Sequence, residues 1–160
     1  GGEAEVYGAE FVLKNETPLS EGRKISATVN YTHTKALFTS KSSSTNPEWG
    51  VGTIVPGDPL PYIPDHQGSL RLGFGTPRFK STISAKYTGK KYDQAVEAGG
   101  IALDPYVVCD WMNHYSLAEN QDIYAGVDNL LDERYIVSLR PYGARPGKPR
   151  AIKLGVAAKF

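Results

Sequence analysis

Arg140, Tyr142 and Arg145 fall in one turn-rich segment, 131–149. A guanidinium is planar, always charged and forked, so it pairs edge-on with carboxylates and other anionic oxygens. Together with a phenol, these residues read either as contacts for a carboxylate-rich anionic chelate or as rim contacts of a solvated loop. Trp49, Tyr62 and Tyr92 lie in two other turn-rich segments and offer aromatic faces to the same solute. Reaction chemistry is harder to find. No Ser/His/Asp set, phosphate loop or carboxylate pair occurs in a context that would support catalysis, so no enzyme activity is expected. His33, His66 and His114 are far apart in sequence, and Cys109 is the single cysteine. A metal site needs converging ligands, so no metal and no cofactor are expected. Asp128 reads as facing a wet interior and Asn129 as turning a strand into a loop. Asp132, Glu133 and Arg134 read as loop-fixing charges.

Formal net charge is +1, so no large field draws the chain toward nucleic acid, and no nucleic-acid partner is expected. With one cysteine, an intrachain disulfide is excluded. Cys109 reads as a small apolar wall residue. Mean hydropathy is −0.37, and no run approaches the ~18 apolar residues of a membrane helix. Membrane-spanning strands alternate, however, so their mean hydropathy stays low. The sequence opens Gly1-Gly2 with no Met, which reads as a processed chain or a fragment.

The elements that must carry these residues are strands. In the last segment Ile152, Leu154, Val156, Ala158 and Phe160 share one face, and Ala151, Lys153, Gly155, Ala157 and Lys159 the other, because side chains on a strand alternate with period two. The same pattern predicts strands near 3–13, 24–35, 66–74, 79–91, 105–117 and 122–130. Seven strands result, and their connections run short, long, short, long, short, long. That rhythm fits short periplasmic turns and long extracellular loops of a transmembrane β-barrel. The expected fold class is therefore all-β, an antiparallel transmembrane barrel wall with its apolar face against the lipid bilayer.

Orientation follows from the closing strand, which runs inward. Phe11, Phe74, Phe79, Tyr115 and Phe160 then fall at the periplasmic rim, and Tyr31 and Tyr87 at the extracellular one. Arg71, Lys80, Lys86, Lys90, Lys153 and Lys159 line the lumen. An open seven-stranded sheet would leave unpaired backbone in hydrocarbon, so the chain is expected to be part of a larger barrel.

Several stretches carry a family resemblance. Val127-Asp128-Asn129-Leu130-Leu131-Asp132-Glu133-Arg134-Tyr135 resembles the signature near the end of TonB-dependent outer-membrane receptors. The run 143–150 and the strand closing on Phe160 are similar to that family's last loop and last strand. Leu60-Pro61-Tyr62-Ile63-Pro64-Asp65-His66 and Tyr7-Gly8-Ala9-Glu10 resemble two of its earlier strand approaches, the former leaning toward ferric citrate-type receptors. The resemblance implies a 22-stranded barrel with an N-terminal plug, of which residues 1–160 would be the C-terminal part, plug and earlier strands lying outside. It implies TonB-energised uptake of a ferric siderophore or another large scarce solute. Implied partners are the remaining barrel, the plug, TonB through the missing N-terminal region, and the outer-membrane assembly machinery, with Phe160 as the assembly signal. Iron chelates, haem, cobalamin and oligosaccharides all stay open as solutes.

The competing reading is a small complete outer-membrane barrel with a structural or adhesive role, needing an eighth strand between positions 48 and 63. A barrel-borne enzyme lacks a catalytic group. A soluble ligand-binding barrel would give the two aromatic girdles no purpose.

Overall fold

The computed structural model describes residues 2–47, 50–95 and 100–158. In chain order the strands are β1 (Ala4–Pro18), β2 (Lys24–Phe38), β3 (Ser42–Ser44), β4 (Gly52–Ile54), β5 (His66–Gly75), β6 (Phe79–Thr88), β7 (Lys91–Tyr92), β8 (Ala102–Leu103), β9 (Tyr106–Ala118), β10 (Gln121–Asp128), β11 (Ile136–Ser138), β12 (Arg145–Pro146) and β13 (Ala151–Ala158). Seven of them form one antiparallel sheet in the order β1-β2-β5-β6-β9-β10-β13. Each is the next long strand in the chain, so the sheet is a meander, the topology that an up-and-down barrel wall requires.

Register puts the apolar residues on one face. Val29 sits opposite Leu70 and Leu70 opposite Ala85, while Ile83 faces Trp111, Trp111 faces Val127 and Val127 faces Ile152. Leu70, Leu72, Phe74, Ile83, Trp111, Leu154 and Val156 are all exposed. A patch of that extent is not a water-facing surface; it is a lipid-facing band. The opposite face carries Lys14, Asn30, Arg71, Lys86, Asp110 and Asp128, as a wet lumen needs.

The three connections at one end are short, and the loops 39–65, 89–105 and 129–150 gather at the other. Each loop contains its own two-stranded ribbon, β3-β4, β7-β8 and β11-β12. β4, inside the segment where a complete small barrel needs an eighth wall strand, pairs with β3 and not with the main sheet. The buried apolar cluster sits at this end: Phe38 at the end of β2, Ile54 and Ala95, with Leu60 packed against them.

Three readings from sequence are corrected. β1 runs five residues beyond the expected end, so Phe11 is mid-strand and directly opposite Tyr31; it does not belong to the girdle at the turn end. β6 stops at Thr88, so Lys90 leaves the wall, its ammonium lying 5.2 Å from the centroid of the Tyr92 ring. His33 and His66, distant in sequence, are cross-strand partners with ring centroids 4.8 Å apart. Lys159 and Phe160 lie outside the described residues.

Candidate functional site

The loop ends are held by polar groups that sequence reading treated as turn formers. Asn129 follows β10 with φ +48, a left-handed conformation that Asn tolerates better than most residues. It is 1 % exposed. Its backbone N–H donates to Asp110 Oδ1 at 2.9 Å, and its side-chain amide donates to the carbonyls of Glu133 and Lys148, each at 2.9 Å. Its Oδ1 accepts from Glu133 N–H at 2.9 Å. One side chain thus ties both limbs of the third loop to the wall. Tyr135 completes the tie: its ring stacks on Tyr106 at 4.1 Å between centroids, and its hydroxyl accepts from Lys148 N–H at 3.4 Å. A Cβ on Gly147 would run into that ring, so a larger residue there has to displace Tyr135 from its stack. Below this knot, Asp128 bridges Lys148 at 2.5 Å and Lys153 at 2.6 Å. Its carboxylate, by hydrogen bond and by charge, holds the Lys148 ammonium above its ordinary pKa. Asp128, Asn129, Tyr135, Lys148, Lys86 and Asp110 line an inward cavity of about 380 Å³.

A second node joins the three loops to one another. Asp93, 1 % exposed, accepts from Arg140 Nε at 3.1 Å and from Ile101 N–H at 2.6 Å. Arg140 Nη1 also donates to the carbonyl of Pro47 at 3.2 Å. With its carbonyl turned toward the guanidinium, the Gln94 amide accepts from Arg140 Nη2. Tyr62 closes the ring. Its hydroxyl accepts from Leu139 N–H at 3.4 Å and Arg140 N–H at 3.1 Å, and its own N–H donates to the Tyr92 carbonyl at 2.8 Å. Tyr62 holds φ +61 to do this, a conformation of appreciable cost for an aromatic residue. The ammonium of buried Lys91 lies 5.9 Å from the Tyr62 ring centroid, a cation–π distance.

An antiparallel meander with a lipid-type outer face, a charged inner face and loops locked at one end has relatives. Residues 1–130 match the family described as TonB dependent receptor-like, beta-barrel. The chain belongs to this family. The receptor barrel is similar to the metal-pseudopaline receptor CntO of Pseudomonas aeruginosa (strain UCBPP-PA14), 28% identical over 116 residues. That match covers 67% of this chain and 16% of the relative, so the chain spans a small part of the curated relatives' length. Among solved structures, the siderophore receptor PiuA from Acinetobacter baumannii superposes with TM-score 0.77 at 25% identity, covering 99% of this chain and 22% of that one. The ferric-catecholate import receptor Fiu from E. coli K12 superposes with TM-score 0.72 at 24% identity, covering 99% and 21%.

With the barrel placed in the outer membrane, the loop end is the extracellular end. Tyr62 and Arg140, both candidate ligand contacts, meet in the node between the loops, where Arg140 already has a carboxylate partner. Tyr92 lends its carbonyl to the same node, and its half-buried ring lies beneath Lys90. Tyr142 is 92 % exposed at the tip of the third loop. Arg145 is exposed in β12, paired across to Ser138. Trp49 falls outside the described residues. The structure therefore brings Arg140, Tyr62 and Tyr92 together and leaves Tyr142 and Arg145 facing outward. Asp93, Gln94 and Lys91 were missed. Their sequence signal is only a charged and polar run beside Tyr92, and their partners are in other loops. Among the described residues no three His, Cys, Asp or Glu side chains gather as metal ligands.

Proposed function

We propose that residues 1–160 are the C-terminal barrel wall of a receptor that imports a metal chelate across the outer membrane, energised through TonB, with a ferric siderophore or similar iron chelate as its solute. The observation that carries this reading is the interlocked extracellular loop set, built on a barrel wall that belongs to the TonB-dependent family. Loops held at Asp93, Tyr62 and Arg140 present Tyr142 and Arg145 outward, where a guanidinium and a phenol meet an anionic chelate as it arrives. The named relatives, a metal-pseudopaline receptor and a siderophore receptor, support a metal chelate as the solute class.

The two edge strands, β1 and β13, each pair on one side only within this sheet. A bilayer leaves no water to satisfy the other side. That supports further wall strands beside these two edges; a luminal plug and the engagement of TonB are what the family resemblance implies. Phe160, by the family resemblance, serves the assembly machinery. The experiment is deletion of the full gene in its host, followed by growth in iron-depleted medium supplemented with single chelates. Loss of growth on at least one ferric chelate, restored by the full gene, is expected. Unchanged growth on every chelate would overturn the reading.

A further inference from the structure

A cavity of about 390 Å³ opens on the outward face at the extracellular rim, with Lys35, Asp65, His66, Tyr87, Lys90 and Tyr92 in its lining. Its wall residues come from β2, β5 and β6, interior strands of the sheet, so wall added beyond β1 or β13 and anything filling the lumen leave it uncovered. Register sets its floor. Tyr31 sits opposite Gly68 and Gly68 opposite Tyr87, so two rings of the outer girdle stand apart over a residue with no side chain. Two residues nearer the periplasm the same face continues as Val29, Leu70 and Ala85, where the lipid-facing band begins. Two residues nearer the loops His33 sits opposite His66. Tyr31 Oη lies 2.8 Å from His66 Nδ1, and His33 Nδ1–H donates to the Asp65 carbonyl at 3.0 Å. With the phenol donating to Nδ1, His66 keeps its proton on Nε2. Above them Lys35 gives one N–H to Asp65 at 2.7 Å and has two more to give. Lys90 enters from beyond β6, its ammonium 5.2 Å from the Tyr92 ring centroid, and it makes no ion pair among the described residues. Asp65 is the acid in the lining; Glu5, opposite Leu37, and Asp104, next to Pro105, stand outside it.

The upper edge of this cavity is cationic and hydrogen-bonding, and its lower edge runs into surface that faces hydrocarbon. A free anion satisfies the first and an alkyl chain the second; an amphiphile satisfies both. We propose that the cavity is a binding site for a phosphorylated lipid of the outer leaflet. Its phosphate monoester lies between Lys35 and Lys90, whose ammonium groups donate to the phosphate oxygens, with His66 Nε2–H as a third donor. An acyl chain leads down between Tyr31 and Tyr87, over Gly68, to Leu70. Basic residues beside an aromatic belt attract anionic headgroups in this way. Asp65 holds Lys35 in place and offsets its charge, so Lys90 carries the larger share of the attraction. The site lies on the lipid side of the wall and does not rest on the uptake reading.

The test uses the full receptor, delipidated in a nonionic detergent, and titrates two probes by native mass spectrometry: bisphosphorylated lipid A and the same lipid with both phosphates removed. The wild type is expected to hold the phosphorylated probe about tenfold more tightly, the share of two interfacial cations of which one is partly offset. Lys35→Gln/Lys90→Gln should bring the two probes level. Lys41→Gln, which removes an exposed cation of loop 39–65 outside the lining, should keep the preference. Equal binding of the two probes by the wild type, or a preference unmoved by the double variant, overturns the proposal. So does a preference lost equally in Lys41→Gln, which would mark a diffuse effect of charge. Lys90→Gln alone breaks no ion pair and keeps the test readable if loss of the Lys35–Asp65 pair unsettles the loop; its preference should fall about fivefold, and no fall overturns the site. Inorganic phosphate at the concentration of the lipid should displace nothing; displacement would assign the cavity to a free anion and overturn the lipid reading. Gly68→Leu fills the slot between the tyrosines, where a Cβ meets only the Asn30 carbonyl at 3.5 Å. It should weaken both probes alike, and unchanged binding overturns the acyl path.

Discussion

Removing Asp93 tests whether the extracellular loops act as one body. Its carboxylate is 1 % exposed and holds both Arg140 Nε and the Ile101 amide. Asp93→Ala leaves a guanidinium and an N–H facing an empty space. Removing one partner of a buried ion pair costs about 3–5 kcal/mol. The Arg140 side chain is 30 % exposed, so water replaces part of that loss, and about 2 kcal/mol is the better figure. The orphaned amide adds about 1 kcal/mol. A total near 3 kcal/mol corresponds to roughly a hundredfold in the opening equilibrium of the loops. The sheet below keeps its own ladder, so the opening is local. Hydrogen exchange read by mass spectrometry on the full receptor in detergent should show loops 89–105 and 129–150 exchanging up to a hundredfold faster. The amides of β6 and β9 should not change. Asp93→Asn, which keeps an acceptor for Ile101, should give about a tenfold effect. If Asp93→Ala leaves loop 129–150 at its wild-type exchange rate, the loops are not coupled through this pair and the argument fails.

Other outcomes follow from the same contacts. Asn129→Ala should lower thermal stability in detergent by about 3 kcal/mol, three side-chain hydrogen bonds at about 1 kcal/mol each; Asn129→Gly, which accepts the positive φ more easily, should lose less. Gly147→Ala should destabilise the third loop by driving a methyl into the Tyr135 ring, and adding Tyr135→Ala should remove the clash, so a non-additive cycle in loop proteolysis is the readout. Lys148 titrates above its ordinary value because Asp128 faces it. Its contribution is thus complete below the unfolded-state pKa and is lost as pH rises through the raised one, so protease protection of loop 129–150 should hold through the ordinary lysine range and fall only above it. Tyr142→Ala should weaken chelate binding without changing thermal stability, since the side chain is 92 % exposed; a stability loss would show that it packs on a neighbour.

Strands were legible because a membrane wall has to alternate. Ile152, Leu154 and Val156 against Lys153 and Gly155 leave no other reading, and the seven long strands fall where alternation puts them. Ends were less legible. β1 continues through Asn15-Glu16-Thr17-Pro18, residues with turn propensity, because Lys24 to Ala27 opposite supplies a ladder partner for each of them; tertiary pairing overrides local preference. β2 likewise extends to Phe38 because the returning limb of the loop pairs with it, Phe38 N–H donating to the Asp58 carbonyl at 2.9 Å and Leu60 N–H to that of Ala36 at 2.9 Å. The polar nodes were legible only in part. Asn129 was visible as a turn former, but its three side-chain partners were not. Arg140 read as a ligand contact because its partner Asp93 is 47 residues away in another loop. His33 and His66 looked unrelated until register placed them side by side.

Energised accumulation of a metal chelate is the central claim, and radioiron uptake measures it most directly. Cells lacking the full gene, and the same cells with it restored, take up a labelled ferric chelate chosen from the growth panel, with and without collapse of the membrane energy supply. Accumulation is expected only in energised, complemented cells, with surface binding retained when energy is removed. Accumulation that is equal with and without the gene, or indifferent to energy, would contradict it.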